Sequence, residues 1–429
     1  MSPVDDPPGE VRDEIAHISC PSLTHADSAS HRPSHLRIIQ ELTVPADGRL
    51  DRIEGGGIVL PAYRSFDREP GLQLATQLAQ QLGWALLVIC SGRAHAVDFP
   101  DEIRRALGDR LTVIDRPAAV PSMELSSLRH PLVRLERSND AAVKRNLGIA
   151  AAVRAGWRYL LFLDDDVITK DDDRTLDKSG IDAAVTALQA RSNLRAISWT
   201  VEEFPDNSVI GHARRLAGKE QTIFVGSAAL LVRCDERLPF FPGVYNEDWM
   251  FLIALAQASS QYGQCIARAG SVRQLQYDPY SSTRAMSEEP GDIIAEGLMN
   301  LLEDDGPALW AVAGTPAYWR RAVARRSALI NDLIRSLELT PDVESARRAR
   351  TALNAALRLH RSASPESLRN YVLSWRADLP RWQAYLEALA ARRDGADLGT
   401  VVTELTTQSG TRAGAARPRP GVSRIRRTL

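Results

Sequence analysis

The chain has 429 residues, 44% of them hydrophobic and 25% charged, with 53 Lys and Arg against 54 Asp and Glu. This is a globular composition, long enough to bury a large core. The formal charge of -1 excludes a generally basic nucleic-acid binder and a strongly acidic solvating protein, so no specific nucleic-acid partner is expected. No stretch approaches the roughly 18 consecutive apolar residues of a membrane span, and the opening MSPVDDPPGE is acidic and proline-rich where a secretion signal is basic and then apolar. A cytoplasmic chain without membrane insertion is expected.

Residues 1–50 are rich in Pro, Ser, Asp and His and read as a mostly irregular arm, with HLRIIQELTV able to form one local strand or helical turn. His17, His25, His31 and His35 match no ligand spacing and are expected in solvent. Cys20, Cys90, Cys234 and Cys265 form no CxxC pair, which predicts free thiols rather than a disulfide framework or zinc site. From Gly55 short apolar runs alternate with helical patterns, the signature of an α/β fold with a mainly parallel, Rossmann-like sheet. GGGIVLPAY predicts a strand, LQLATQLAQQLG a helix with Leu72, Leu74 and Leu78 inward, and WALLVICSG and RLTVID two further strands. Ser138, Asn139 and Asp140 cap a helix that Gly156 closes, and YLLFLDDDV is a buried strand ending in three carboxylates. RAISWTV and TIFVGSAALLVR are strand candidates, and EDWMFLIALAQAS is a helix.

After about residue 300 strand signals stop and helical patterns run to 395, so 301–395 reads as a helical C-terminal module. Its tryptophans, Trp310, Trp319, Trp375 and Trp382, suit core packing. Its arginines, Arg320, Arg321, Arg325, Arg326, Arg347, Arg348 and Arg350, are interspersed with acids and read as a solvated face. Residues 396–429 read as a basic, disordered tail, since GTRAGAARPRPGVSRIRRTL has six arginines and no acid.

The strongest chemical feature is Asp164-Asp165-Asp166, placed directly after the apolar run Tyr159 to Leu163. Adjacent carboxylates at the end of a buried strand repel one another unless a cation gathers there, and oxygen ligands at i and i+2 suit Mg2+ or Mn2+. A capped, solvated loop is the plainer alternative, and it is the reading given to Asp171-Asp172-Asp173. Ligands of open α/β sheets bind at the carboxyl ends of strands, which brings in Pro61, Tyr63, Arg64 and Ser91. Arg145 and Asn146, with Lys144, lie on the helix feeding the acidic strand and suit either salt bridges or a diphosphate, or else an exposed surface pattern. Glu247, Asp248 and Trp249 open an apolar helix. A cap explains the acids, while a carboxylate beside an aromatic also suits a general base next to a sugar-like ring.

Taken in order, LPAYRS, ICSG, KRNLGIAAAVRAG, YLLFLDDDV, FVGSAALLVR and YNEDWMFL resemble GT-A-fold glycosyltransferases, nearest to family 2 and its bacterial relatives, over about residues 55 to 280. The resemblance implies a metal-dependent transferase domain over 51–300 that moves a sugar from a nucleotide-diphospho-sugar to an unidentified acceptor hydroxyl. By match to the D-x-D motif it implies that Asp164 and Asp166 hold Mn2+ or Mg2+, with Asp165 between them toward the donor. It implies Asp248 as catalytic base, with Pro61, Tyr63, Arg64, Ser91, Arg145 and Asn146 toward the donor. Gly226, Ser227, Glu247 and Trp249 then fall toward the acceptor. The chain departs from the pattern at Cys90-Ser91-Gly92, where many relatives carry an acid, and His360 is the one His after Asp248. The match of Asp248 to the base of inverting members implies inversion, and the absent Q-x-x-R-W signature of processive synthases implies a non-processive reaction. A sugar-nucleotide-forming nucleotidyltransferase and a non-catalytic sugar- or nucleotide-binding scaffold are the alternatives, and the helical module offers a surface for a homo-oligomer.

Overall fold

A computed structural model of the protein describes residues 35, 38–43, 55–117, 125–134, 139–169, 176–220, 223–259, 264–276, 278–304, 308–361 and 363–413. Most of the N-terminal arm, Cys20, Ser138, the Asp171 to Asp173 run, Tyr277 and residues 414–429 lie outside the described residues.

The strands and helices run β1 Ile39–Glu41, β2 Gly56–Ala62, α1 Pro70–Leu82, β3 Ala85–Cys90, α2 Asp101–Leu107, β4 Leu111–Asp115, α3 Pro131–Arg134, α4 Asn139–Arg154 and β5 Tyr159–Leu163. They continue through β6 Val167–Ile168, α5 Lys178–Ala190, β7 Ala196–Val201, α6 Val209–Leu216, β8 Ala229–Arg233, α7 Glu247–Gln257 and β9 Ile266–Gln274. The helices α8 Ser282–Asp304, α9 Leu309–Ala313, α10 Pro316–Ser336, α11 Val343–His360, α12 Pro365–Ala390 and α13 Leu398–Ala413 follow.

The sheet order is β1-β9-β7-β8-β5-β2-β3-β4, with β6 attached to β9. Every pair along that order is parallel except those of β8, which runs antiparallel to both β5 and β7. The α/β class with a mainly parallel, Rossmann-like sheet is therefore present. The central strands β2 and β5 are buried along their whole length, as parallel strands covered on both faces must be, and this is why they read as unbroken apolar runs. Alternate residues face two layers: Ile58, Leu60, Leu86 and Val88 pack with Leu72, Leu78, Ile181 and Val185 of α1 and α5. Val59, Leu87 and Ile89 pack with the α4, α7, α8 and α12 side. At the amino end of β2 two glycines leave room for indoles. A Cβ on Gly56 would come within 2.2 Å of Trp84, and one on Gly57 within 2.2 Å of Trp157.

The helical part differs from the expected module in three ways. It begins at Ser282 rather than near 301, and Leu298, Trp319, Trp375 and Trp382 share one core with Val59 and Phe162 of the sheet. Within the segment expected to be a disordered tail, 398–413 is helical, with Val401 and Val402 buried in that same core. Arg326 is not on a solvated face. It is 4% exposed and bonded to Glu289, Asp292 and Glu296 of α8, and His360 Nε2 closes on Glu289 Oε2 at 2.6 Å. His35, expected in solvent, is fully buried between Phe224 and Trp249, where burial brings its pKa down to about 3. Strand β9 has mixed exposure and few apolar residues, which is why its sequence gives no strand signal. Cys90, Cys234 and Cys265 are free and buried.

Burial pushes Asp292 and Glu296 up toward their protonated forms while Arg326 draws them back down. For Glu289 burial acts in the same upward direction but Arg326 and His360 outweigh it. Removing the one guanidinium leaves the buried carboxyl groups of Glu289 and Asp292 and the partly buried one of Glu296 without their shared cation. Arg326→Met is expected to lower the free energy of unfolding by about 3–5 kcal/mol, read from the midpoint of urea denaturation.

Candidate active site

Because β8 runs against its neighbours, its first residues lie at the edge where the parallel strands end. Leu163 pairs with Ala229, and Asp164 N–H donates to Ala228 O at 2.9 Å. Gly226 and Ser227 thus arrive beside the acidic trio. Helix α7 starts at the same edge, and its first two residues are Glu247 and Asp248. Asn246, the cap before them, has φ +58, a left-handed conformation that Asn tolerates better than most side chains. Its amide donates to Asp292 Oδ1 at 2.8 Å, so the buried Arg326 cluster anchors the turn that delivers the carboxylates.

The three aspartates have separate partners. Asp165 turns back to the end of β2, where Oδ2 accepts Tyr63 N–H at 2.7 Å and Arg64 N–H at 3.2 Å. Its carbonyl accepts Gly71 N–H at 3.1 Å, and a Cβ on Gly71 would sit 2.3 Å from Asp164 O. The approach of α1 to the acidic loop therefore depends on that glycine. Asp166 accepts Arg64 Nη2 at 3.0 Å and Gln274 Nε2 at 2.8 Å. Asp164 accepts Arg145 Nη2 at 2.7 Å, and the other arm of Arg145 reaches Glu247 Oε1 at 2.5 Å. Arg145, only 4% exposed, is the bridge between the acidic strand and α7. Burial works against its charge, but Asp164, Glu247 and Asp248 outweigh it and push its pKa further up.

Asp248 lies across the site with Oδ2 accepting Ser227 N–H at 2.9 Å and Ser227 Oγ–H at 3.3 Å, and Oδ1 accepting Trp249 N–H at 2.9 Å. A Cβ on Gly226 would stand 2.7 Å from Asp248 Oδ2. A carboxylate has about four lone-pair sites, so three donors orient Asp248 and leave acceptor capacity. Arg145, Asp164, Gly226, Ser227, Glu247, Asp248, Trp249 and Gln274 line one cavity of about 180 Å³. Its far wall is made by Phe204, Asp206, Asn207 and Tyr245.

Other expected site residues fall elsewhere. Pro61 is buried within β2, not in the turn. Tyr63 is 54% exposed beside the Gly92 turn, and the Lys144 ammonium lies 5.8 Å from its ring centre. Asn146 is buried and bonded both ways to the backbone of Phe241, at 2.8 and 2.7 Å, so it braces the chain before α7. Trp249 is mostly core, stacked on Phe224 with centroids 4.6 Å apart, and presents only part of itself to the cavity. Ser91 Oγ donates to Asp140 at 2.6 Å, and Asp140 also pairs with Lys144 and Arg116. The Lys144 to Asn146 run is thus buried rather than an exposed pattern.

The sequence reading missed Asp140, which stands next to Ser91 where Cys90-Ser91-Gly92 lacks an acid, and Glu69. Glu69 precedes α1 and is 2% exposed, close to Asp165. Burial first, then the charge of Asp165, pushes it up to about 9. The Glu-Pro-Gly start of α1 is the signal that could have placed it at the strand-end edge.

The site holds more negative charge than its cations balance. Burial, then Asp164 and Asp165, pushes Asp166 up to about 7. Burial pushes Glu247 up to about 7 against the pull of Arg145, and burial also raises Asp164. Such a set of oxygen donors with uncompensated charge suits a hard divalent cation. No three His, Cys, Asp or Glu side chains among the described residues converge as a complete metal-ligand set. Mg2+ is commonly held by one or two carboxylates together with substrate phosphates, and Asp164 and Asp166 fit that arrangement.

No protein-family model and no curated protein matches the chain. Among solved structures, glucosyl-3-phosphoglycerate synthase from Mycobacterium tuberculosis with Mn2+, UDP and phosphoglyceric acid is 15% identical. That match covers 57% of this chain and 80% of the synthase, at a TM-score of 0.35. The same synthase with Mn2+, UDP-glucose and phosphoglyceric acid is 13% identical over 61% of this chain and 88% of its own, at 0.38. Another structure of the synthase is 16% identical over 58% of this chain and 79% of its own, at 0.36. No helix among the described residues is long and apolar enough to cross a membrane.

Behind the cavity wall Glu288 accepts Val209 N–H at 2.8 Å and pairs with Arg284, which also donates to Asn207 O. Burial raises Glu288 from 4.5 to about 7. Its contribution to stability is therefore full below pH 4.5 and is lost as pH rises through 7. Unfolding free energy measured against pH should fall less steeply across that window in Glu288→Gln than in the wild type. Equal slopes would show that Glu288 titrates normally.

Proposed function

We propose that the protein is a nucleotide-sugar-dependent glycosyltransferase with a GT-A-type catalytic domain, transferring a sugar to an acceptor hydroxyl with inversion and without processivity. The observation that carries this reading is the convergence of Asp164, Asp165, Asp166, Arg145, Glu247 and Asp248 at the carboxyl edge of one sheet, with Gly226 and Ser227 beside them. These are the segments whose sequence order resembles that class.

Departure of a nucleoside diphosphate develops negative charge on its bridging oxygen, and preorganised cationic groups lower the barrier by stabilising it. Asp164 and Asp166 are the residues that would hold Mn2+ or Mg2+, which when bound neutralises phosphate charge as a Lewis acid. Arg145 orients Asp164 and Glu247 together, so donor side and acceptor side keep a fixed spacing. Ser227 and the Trp249 backbone fix the Asp248 carboxylate, which accepts the proton of the attacking hydroxyl. Attack from the face opposite the leaving group inverts the anomeric centre. The aromatic and polar wall of Phe204, Asn207 and Tyr245 suits a polyhydroxylated or otherwise polar acceptor.

UDP-glucose, bound in one of the synthase structures, is the first probe, followed by GDP-, dTDP- and ADP-sugars, with and without Mn2+. Asp248→Asn is expected to reduce turnover by about a hundredfold or more with little change in donor KM. Asp164→Asn with Asp166→Asn should abolish donor-dependent nucleoside diphosphate release. Near-normal transfer by Asp248→Asn would remove it as the base, and no release from any donor would remove the transferase reading.

A further inference from the structure

The acidic trio already carries a cation. Arg64 leaves β2 at the rim of the site, its guanidinium 3.4 Å from Asp165 Oδ1 and 3.0 Å from Asp166 Oδ2. The second oxygen of Asp166 accepts Gln274. Both oxygens of a carboxylate suited to a divalent ion are thus engaged by nitrogen donors, and one of those donors is a full positive charge. The contacts of the Arg64 guanidinium with Asp165 and with Asp166 differ in kind. At Asp165 the backbone N–H groups of Tyr63 and Arg64 anchor the same carboxylate, so this end of the residue is fixed. At Asp166 only the end of the side chain is involved, and that side chain is 20% exposed.

Guanidinium keeps its charge at any accessible pH and binds phosphate in the same forked geometry as carboxylate. A divalent ion approaching Asp166 meets a like charge already in place. Once displaced from Asp166, the guanidinium remains tethered a few ångströms from where the same ion would gather phosphate oxygens.

We propose that Arg64 is a tethered counter-cation that competes with a divalent ion for Asp166 and passes to the donor diphosphate when the ion binds, making ion and diphosphate binding cooperative. This rests on the reading of the site as a diphosphate-sugar site. Metal binding by the resting protein is weak for this reason, and it strengthens when a diphosphate gives the guanidinium a second anion.

The test is a Mn2+ titration of the full chain followed by the paramagnetic resonance of the free ion, with and without UDP, for wild type, Arg64→Gln, Arg64→Lys and Asp166→Asn. Arg64→Gln is expected to bind Mn2+ alone about tenfold more tightly than wild type, the scale of one partly buried ion pair. The increase in Mn2+ affinity caused by UDP should shrink at least about fivefold in that variant. Arg64→Lys keeps the charge and is expected to stay within about twofold of wild type for Mn2+ alone, which separates the charge effect from damage to the fold. If Arg64→Gln binds Mn2+ no more tightly while Asp166→Asn abolishes binding, Arg64 does not compete and the proposal is overturned with the donor-site reading intact. If Asp166→Asn binds Mn2+ as well as wild type does, or if no variant binds it, both are overturned.

Discussion

Strand β8 runs against β5 and β7 in an otherwise parallel sheet, and that reversal is what joins Gly226 and Ser227 to the acidic residues at the carboxyl ends of the parallel strands. In a parallel sheet the chain returns to the carboxyl edge only at the ends of strands. One reversed strand brings a strand beginning to the same edge, so Ala228 bonds to Asp164 and Gly226 and Ser227 precede it there. The segment after β8 then crosses beneath the sheet and returns as α7, whose first turn carries Glu247 and Asp248. Arg145 reaches both sides of this junction because α4 leads directly into β5. The absence of a Cβ at Gly226 lets Asp248 lie against the backbone it bonds to.

The helical C-terminal part has a direct mechanical relation to that edge. Asn246 holds an uncommon backbone conformation, and its side chain is tied to Asp292 of α8, which is tied in turn to Arg326 of α10. A Cβ on Gly291 would come within 2.2 Å of Tyr245 O, so α8 and the turn before α7 touch backbone to backbone. The buried charges between α8, α10 and α11 add little stability compared with an apolar core. They fix the register of three helices on the turn that presents the carboxylates.

Much of this was legible in the sequence because the informative signals were local. Unbroken apolar runs gave β2, β3 and β5, and three acids directly after YLLFL pointed to the carboxyl edge. What stayed hidden depends on contacts between distant segments. Nothing near Asn146 indicates that its amide would close on Phe241, 95 residues away. Arg326 looks like its exposed neighbours Arg321 and Arg325, and only the packing of α10 on α8 separates them. Strand β9 is half polar because it lies near the edge between short β1 and β7, so periodicity could not reveal it. His35 is isolated in a polar arm, and its burial follows from the aromatic pair Phe224 and Trp249, which no local pattern announces.

The two indoles at the start of β2 give the molecule a polarity of mutational tolerance. Trp84 and Trp157 occupy opposite faces of the strand where Gly56 and Gly57 have no side chains, so the amino edge of the sheet is wedged shut by large rigid groups. The carboxyl edge is held instead by hydrogen bonds and ion pairs that can exchange partners. Substitutions at the wedged edge change whether the chain folds, whereas substitutions at the polar edge change what the folded chain binds. Divergence among descendants of this sequence would accordingly concentrate at one end of each strand, with the glycine and tryptophan pairs altered only together.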